Sequence, residues 1–175
     1  MLKREFEGFV EANGLQFYVE RAGDGPNLFY ISGTGGDLRN KPNQLDSPLA
    51  KHFNVMCFDQ RGLGQTAKPA GEYSMADYAD DAAALIDQLD DTPVRGIGVY
   101  YGGMVGQELA LGQAKKIRDI AMICTDAGGK GRGCLQMQEQ ESMEGEDRDK
   151  RQLQIGDTRG TDEWIAANPE AWKRL

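Results

Sequence analysis

The chain is poor in the groups that most often carry catalysis and metal binding. One histidine, His52, stands in 175 residues, so a single imidazole is on offer as a base. Three cysteines, Cys57, Cys124 and Cys134, form an odd, sparse set without metal-ligand spacing. Neither a disulfide framework nor a zinc site is suggested, and Cys57 reads as a small core residue. No metal and no cofactor are expected. Positive charge is in deficit: 20 Lys and Arg against 28 Asp and Glu give a net charge of −8. A surface of that sign repels phosphate, which argues against nucleic acid or an anionic membrane as partner. No apolar run approaches the ~18 residues of a membrane span, and the opening MLKREFEGF lacks the apolar middle of a signal peptide. A cytoplasmic protein is expected.

Glycine is plentiful, with 23 residues, and points to many tight turns. The length suits one domain with a real core. Residues 5–10 and 15–21 alternate in polarity around Asn13-Gly14, the dipeptide that most readily supplies positive φ in a two-residue hairpin. Residues 27–32 and 54–58 are near-continuous apolar runs of the kind found in strands buried on both faces. Ser47 to His52 suggests one or two helical turns between them. Ser74 and Asp77 make a capping-box start for a helix reaching Leu89, with Met75, Tyr78, Ala82, Leu85 and Leu89 on one face. Val94 to Val99 reads as a strand, Gly102 to Lys116 as a helix rich in small residues, and Ile120 to Cys124 as one more buried strand. Strands alternating with helices argue for an α/β fold, a mostly parallel sheet covered on both faces.

Beyond Thr125 the composition shifts. Residues 127–133 are glycine-rich, and 136–151 are polar and mixed in charge, reading as a solvated helix or a lid. Two short helices follow, around Trp164 and after Asn168-Pro169. No internal repeat is evident. The division places a core at 1–126 and a smaller helical segment at 127–175.

The chemistry concentrates at Gly98-Val99-Tyr100-Tyr101-Gly102. This is the G-x-S-x-G pattern of a nucleophile elbow, a strained strand-to-helix turn, with Tyr100 where serine is expected. With the Ser32-Gly33-Thr34-Gly35-Gly36 loop and the Asp59-x-Arg61-Gly62-x-Gly64-x-Thr66 turn, the sequence resembles the α/β-hydrolase family, most of all its capped esterase and lactonase-like members. The resemblance implies an incomplete hydrolase core over 1–126 and the start of a helical cap over 127–175. It also implies an oxyanion hole built from the backbone N–H of Tyr101 and that of Gly33 or Thr34. Asp59 and Arg61 pin their turn, and Asp126 stands where some members place the catalytic acid, a plain strand-end carboxylate being the alternative.

Phenols ionise near pH ~10, so Tyr100 as a nucleophile needs a base. His52 precedes the fourth strand, where a packing or surface role is expected. Members of the family carry their histidine after two further strands that follow the cap, and this chain stops within the cap. The expectation is a hydrolase relative lacking the Ser nucleophile and the catalytic His, non-catalytic, with a small-molecule ligand above the elbow. The alternatives are a hydrolase of carboxylic esters or lactones completed by another chain, with Tyr100 in an unusual role, and a fragment without function. The Ile120 to Cys124 strand is expected to be an edge covered by residues 127–175, by a second copy or by a complementing chain. Gly96 is expected to weaken the strand locally or to make room for the tyrosine.

Overall fold

The computed structural model describes residues 4–89, 92–127, 143–156 and 159–172. Cys134, the 128–133 loop and residues 136–142 of the polar segment lie outside them. The chain divides into two compact units, residues 1–127 and 128–175.

The first unit is a six-stranded sheet in the order β1-β2-β4-β3-β5-β6. Strands β1 (Arg4–Ala12) and β2 (Leu15–Ala22) form the expected hairpin. Its turn places Asn13 at φ 47° and Gly14 at φ 71°, the left-handed region that this dipeptide tolerates. Strand β2 runs antiparallel to β4 (Asn54–Phe58), whereas β3 (Asn27–Ile31) pairs in parallel with both β4 and β5 (Val94–Val99), and β5 with β6 (Ile117–Ile123). The carboxyl ends of β3 to β6 therefore share one edge of the sheet.

The period-two alternation of the buried strands sorts their side chains onto two cores. Phe29, Ile31, Met56 and Phe58 face α1 (Met75–Ile86) and α2 (Tyr101–Gly112), while Leu28, Val55 and Cys57 face the opposite way. Among the described residues of this unit, that second face is packed against the segment after β3, through Leu38, Leu45 and Ala50. Its helical content is two 3-10 turns, Gln44–Asp46 and Pro48–Lys51.

Helix α1 starts as its capping box dictates: the Ser74 hydroxyl accepts from Asp77 N at 3.2 Å, and the Asp77 carboxylate accepts from Ser74 N at 2.8 Å. It ends at Ile86, three residues short of the expected Leu89, which closes a last turn by donating its N–H to Ile86 O. Leu85 and Ile86 are fully buried, each contributing about 1.5–3 kcal/mol by removal from water. The expected face was apolar throughout, yet Asp81 lies within it, 1% exposed. It is tolerated because Arg61 meets it with two hydrogen bonds, Nε at 2.5 Å and an Nη at 2.6 Å, and Asn13 donates a third at 2.8 Å.

Strand β6 departs most from expectation. It starts three residues earlier than read from the sequence; it is the edge strand that was expected, but its side chains are more exposed than a buried strand's, with Met122 42% and Ile123 44% exposed.

The second unit contains α3 (Gly145–Gly156), α4 (Asp162–Ala167) and α5 (Pro169–Trp172). Thr161 caps α4 by accepting from Trp164 N, and Pro169 takes the first position of α5. Asp162 ties α4 to α3 by accepting from Gln154 and pairing with Lys150 at 3.0 Å.

Candidate functional site

The β5-to-α2 junction is a sharp turn with Tyr100 at its tip, at φ 54° and ψ −115°. A bulky L-residue in that region is strained by about 1–3 kcal/mol and persists only where its surroundings hold it. Here both ends of the tip residue are held by the end of β6. Tyr100 N donates to Ile123 O at 2.9 Å, and Tyr100 O accepts from Gly103 N at 3.0 Å and from the Thr125 hydroxyl at 2.7 Å.

The turn closes because glycine lets backbone touch backbone. A Cβ on Gly98 would lie 2.6 Å from Gly102 O, and one on Gly102 would lie 2.2 Å from Ile31 O and 2.5 Å from Ser32 O. Both contacts are far inside van der Waals range, so no larger residue fits the observed path. Gly103 and Gly106 continue this face of α2, abutting Thr125 and Ile120. At Gly96 a Cβ would meet Ile120 first, at 3.1 Å. The missing side chain makes room for the β6 isoleucine.

The glycine loop after β3 lies against the tip. A Cβ on Gly33 would be 3.3 Å from Tyr100 Cβ and 3.2 Å from Val99 O. Gly36 N closes the loop onto Gly33 O at 3.1 Å. The candidate oxyanion donors, Tyr101 N at the start of α2 and the N–H groups of Gly33 and Thr34, thus belong to adjoining segments. The first N–H groups of a helix lack intrahelical acceptors and carry its positive dipole end, a setting that favours developing negative charge. The structure brings the elbow, the 33–36 loop and residues 125–126 together. Asp126 follows β6, half-buried, with its backbone oxygen accepting from Gln107 Nε2 at 2.8 Å. His52 stays away: it is exposed beside the amino end of β4, whereas the elbow sits at the carboxyl ends, and a five-residue strand is ~17 Å long.

Around this centre the chemistry is that of support. Asp59, fully buried, accepts from Leu38 N and Gln65 N, each at 2.8 Å, so one carboxylate joins the loop after β3 to the turn after β4. Burial pushes its carboxyl above the usual range, against the pull of those two bonds. Tyr101 packs edge-on against Tyr78, which packs against Tyr73, and the Arg61 guanidinium lies 5.6 Å from the Tyr73 ring centre. Burial first, then the hydrogen bond with Tyr78, raises the Tyr101 phenol. A cavity of about 240 Å³ opens beside the 33–36 loop, lined in part by Ser32, Thr34, Asn43 and Asp59, with neither Tyr100 nor Tyr101 in its wall. Among the described residues no cluster of three metal-ligating side chains occurs, and no helix is long and apolar enough to cross a membrane.

A family model described as the alpha/beta hydrolase fold matches residues 26–172. The chain belongs to the α/β-hydrolase family. Among curated proteins, this α/β-hydrolase chain is 33% identical over 104 residues to a Mycobacterium tuberculosis protein provisionally named a non-heme bromoperoxidase, covering 59% of the chain and 39% of that protein. It is 28% identical over 116 residues to the dihydrolipoyllysine-residue acetyltransferase component of the acetoin cleaving system of Cupriavidus necator, covering 66% of the chain and 31% of that protein. Among solved structures, an epoxide hydrolase of Vigna radiata superposes with a TM-score of 0.61 at 25% identity, over 69% of the chain and 39% of its own. The α/β-hydrolase chain thus spans about two fifths of the first curated relative it matches.

Three side chains at the site had escaped the sequence reading. Thr125, Gln107 and Gln60 each hold a backbone carbonyl at or beside the elbow. Gln60 fell on a variable position of the Asp59-x-Arg61 pattern. The other two contacts join residues 25 and 19 positions apart, and no local pattern marks them.

Proposed function

We propose that this α/β-hydrolase chain binds a small carbonyl- or carboxylate-bearing molecule at the elbow without acyl transfer. The observation that supports this most directly is Tyr100 at the strained tip. The backbone N–H groups of Tyr101, Gly33 and Thr34 do not depend on side-chain identity, so binding to an oxygen survives where the serine alkoxide is absent. His52, at the far end of β4, is out of reach as a base for the tip. The related chemistry is hydrolysis of a carboxylic ester or lactone, and it sets the ligand class.

The test is hydrolysis of a panel of activated esters and lactones by the purified chain beside Tyr100→Phe and Tyr100→Ser, with mass by light scattering. Turnover in neither parent nor Tyr100→Phe, with ligand binding retained, is expected. Turnover in the parent that is lost in Tyr100→Phe overturns the reading and makes the chain a hydrolase with a tyrosine-dependent site.

A second reading is favoured by the exposed outer side of β6, where Met122 and Ile123 face solvent and, among the described residues, no strand pairs with its outer ladder, an edge that invites a further strand. In it, additional polypeptide pairs at this edge and supplies acid and base, while Tyr100 orients substrate or acts as an acid or nucleophile, with Asp126 as a candidate acid. Co-expression with the carboxyl-terminal half of a family member tests it: turnover in the mixture alone supports it, and no gain in rate removes it.

A further inference from the structure

The carbonyl of Ser32 follows the last residue of β3 and falls beyond the β3–β5 register, which ends at Ile31 and Gly98. It is pressed against Gly102, whose missing Cβ would stand 2.5 Å away. A carbonyl so enclosed needs a donor, and Gln60 Nε2 supplies it at 2.8 Å. Gln60 is 1% exposed and its Oε1 has no partner among the described residues. A buried amide with an orphan acceptor is a poor choice for packing alone. Turning the amide over would set Oε1 against the Ser32 carbonyl, acceptor to acceptor, so the bond also fixes the amide's orientation.

We infer that Gln60 is a positioning residue for the oxyanion loop. In a trans peptide the C=O and the following N–H point in opposite directions. Holding Ser32 O in place therefore fixes the direction of the Gly33 N–H on the other side of the same peptide plane. The next peptide is fixed in the same way, because Gly33 O accepts from Gly36 N, and this sets the direction of the Thr34 N–H. The two candidate donors of the loop are thus aimed by one side chain and one turn, and only the side chain can be removed without altering the loop's own sequence. The inference deepens the binding reading given above and rests on it for the role of those donors.

The experiment uses the full chain labelled for NMR, with Gln60→Glu and Gln60→Met, each checked by thermal unfolding. The first readout is the ligand-free protein: the Ser32 carbonyl carbon and Gly33 amide nitrogen resonances. The second is affinity for a hexyl methylphosphonate monoanion, which presents tetrahedral oxygens and keeps its charge over the pH range used. Both resonances are expected to move in both variants at pH 8, with affinity falling about tenfold, the equivalent of one lost hydrogen bond. On acidification Gln60→Glu regains both, because a protonated carboxyl again donates to Ser32 O. Gln60→Met, titrated alongside, does not recover and so corrects for Asp59 next to it.

Unmoved Ser32 and Gly33 resonances in a folded variant overturn the inference, as do equal shifts in both variants at every pH, which mark a packing effect. Should Gln60→Glu not fold with its carboxylate charged, the Gln60→Met resonances decide alone. If the resonances respond as expected but the parent chain does not bind the phosphonate, the binding reading falls and the positioning role of Gln60 stands.

Discussion

Two neighbouring turns of this chain are held by opposite means. The elbow after β5 is shaped by what is missing: Gly98 and Gly102 let β5, α2 and the end of β3 meet backbone to backbone. The turn after β4 is shaped by buried polar side chains, with Asp59 bonded to Leu38 and Gln65, Thr66 to Asp59 O, and Arg61 to Asp81. In the first, the bonds described above and the close contacts that shape the turn run through backbone atoms, which any tip residue supplies, so tyrosine can stand there with the elbow intact. In the second, each side chain is one end of a desolvated bond, and its identity is the structure. An elbow of this kind can therefore keep its shape with a residue other than serine at its tip, whereas each polar side chain of the Asp-Gln-Arg turn is tied to a specific partner.

The largest effect is expected where backbone meets backbone. Gly102→Ala, with its new carbon 2.2 Å from Ile31 O, should cost several kcal/mol, more than ~3, or prevent folding; urea unfolding with near-parental stability would show that the elbow is not glycine-limited. Next comes Arg61→Ala, which strands Asp81 as a buried charge and should cost about 3–5 kcal/mol. Arg61→Lys should recover only part of that, because an ammonium cannot reproduce the two-pronged contact. Equal stability of the two variants would mean that charge alone matters.

A smaller effect is pH-dependent. The folded protein raises the Asp59 carboxyl above its unfolded value by burial, so the folded state holds this proton more tightly than the unfolded chain. Asp59 therefore makes stability fall as pH rises from its unfolded pKa, ~3.9, through the raised folded value. Comparing the parent with Asp59→Asn across pH 4 to 8 isolates the effect, since all other carboxylates are common to both. The parent should lose stability relative to the variant as pH rises, and a constant difference would refute the burial argument. The smallest change is expected at the tip. Tyr100→Ser should alter stability by about 1 kcal/mol or less, with Tyr100→Gly gaining about as much from relief of strain; a cost above ~3 kcal/mol would place the tyrosine among the supports of the turn.

Much of the fold could be read in advance because its signals are local. Asn13-Gly14 names its own turn, Ser74 and Asp77 cap their helix, and the apolar runs 27–31, 54–58 and 94–99 are strands of nearly the predicted length. The elbow pattern located the tip, and the glycine loop after β3 lies beside it as the pattern implied. What escaped was set by partners distant in sequence. The Asp81 carboxylate inside an apolar face is stable only because Arg61 and Asn13 arrive there. Gly96 depends on Ile120, which no local pattern connects to it.

By itself the sequence determined the order of strands and helices, the family, and the residue at the elbow's tip, since periodicity, turn chemistry and motif spacing are properties of adjacent residues. Tertiary structure alone decided that Asp81 sits buried against Arg61 within an otherwise apolar helix face, that His52 lies at the opposite end of β4 from Tyr100, and that Gln60 holds the carbonyl of Ser32. Burial, pairing and hydrogen-bond complementarity arise only when segments far apart in the chain come within a few ångströms of one another.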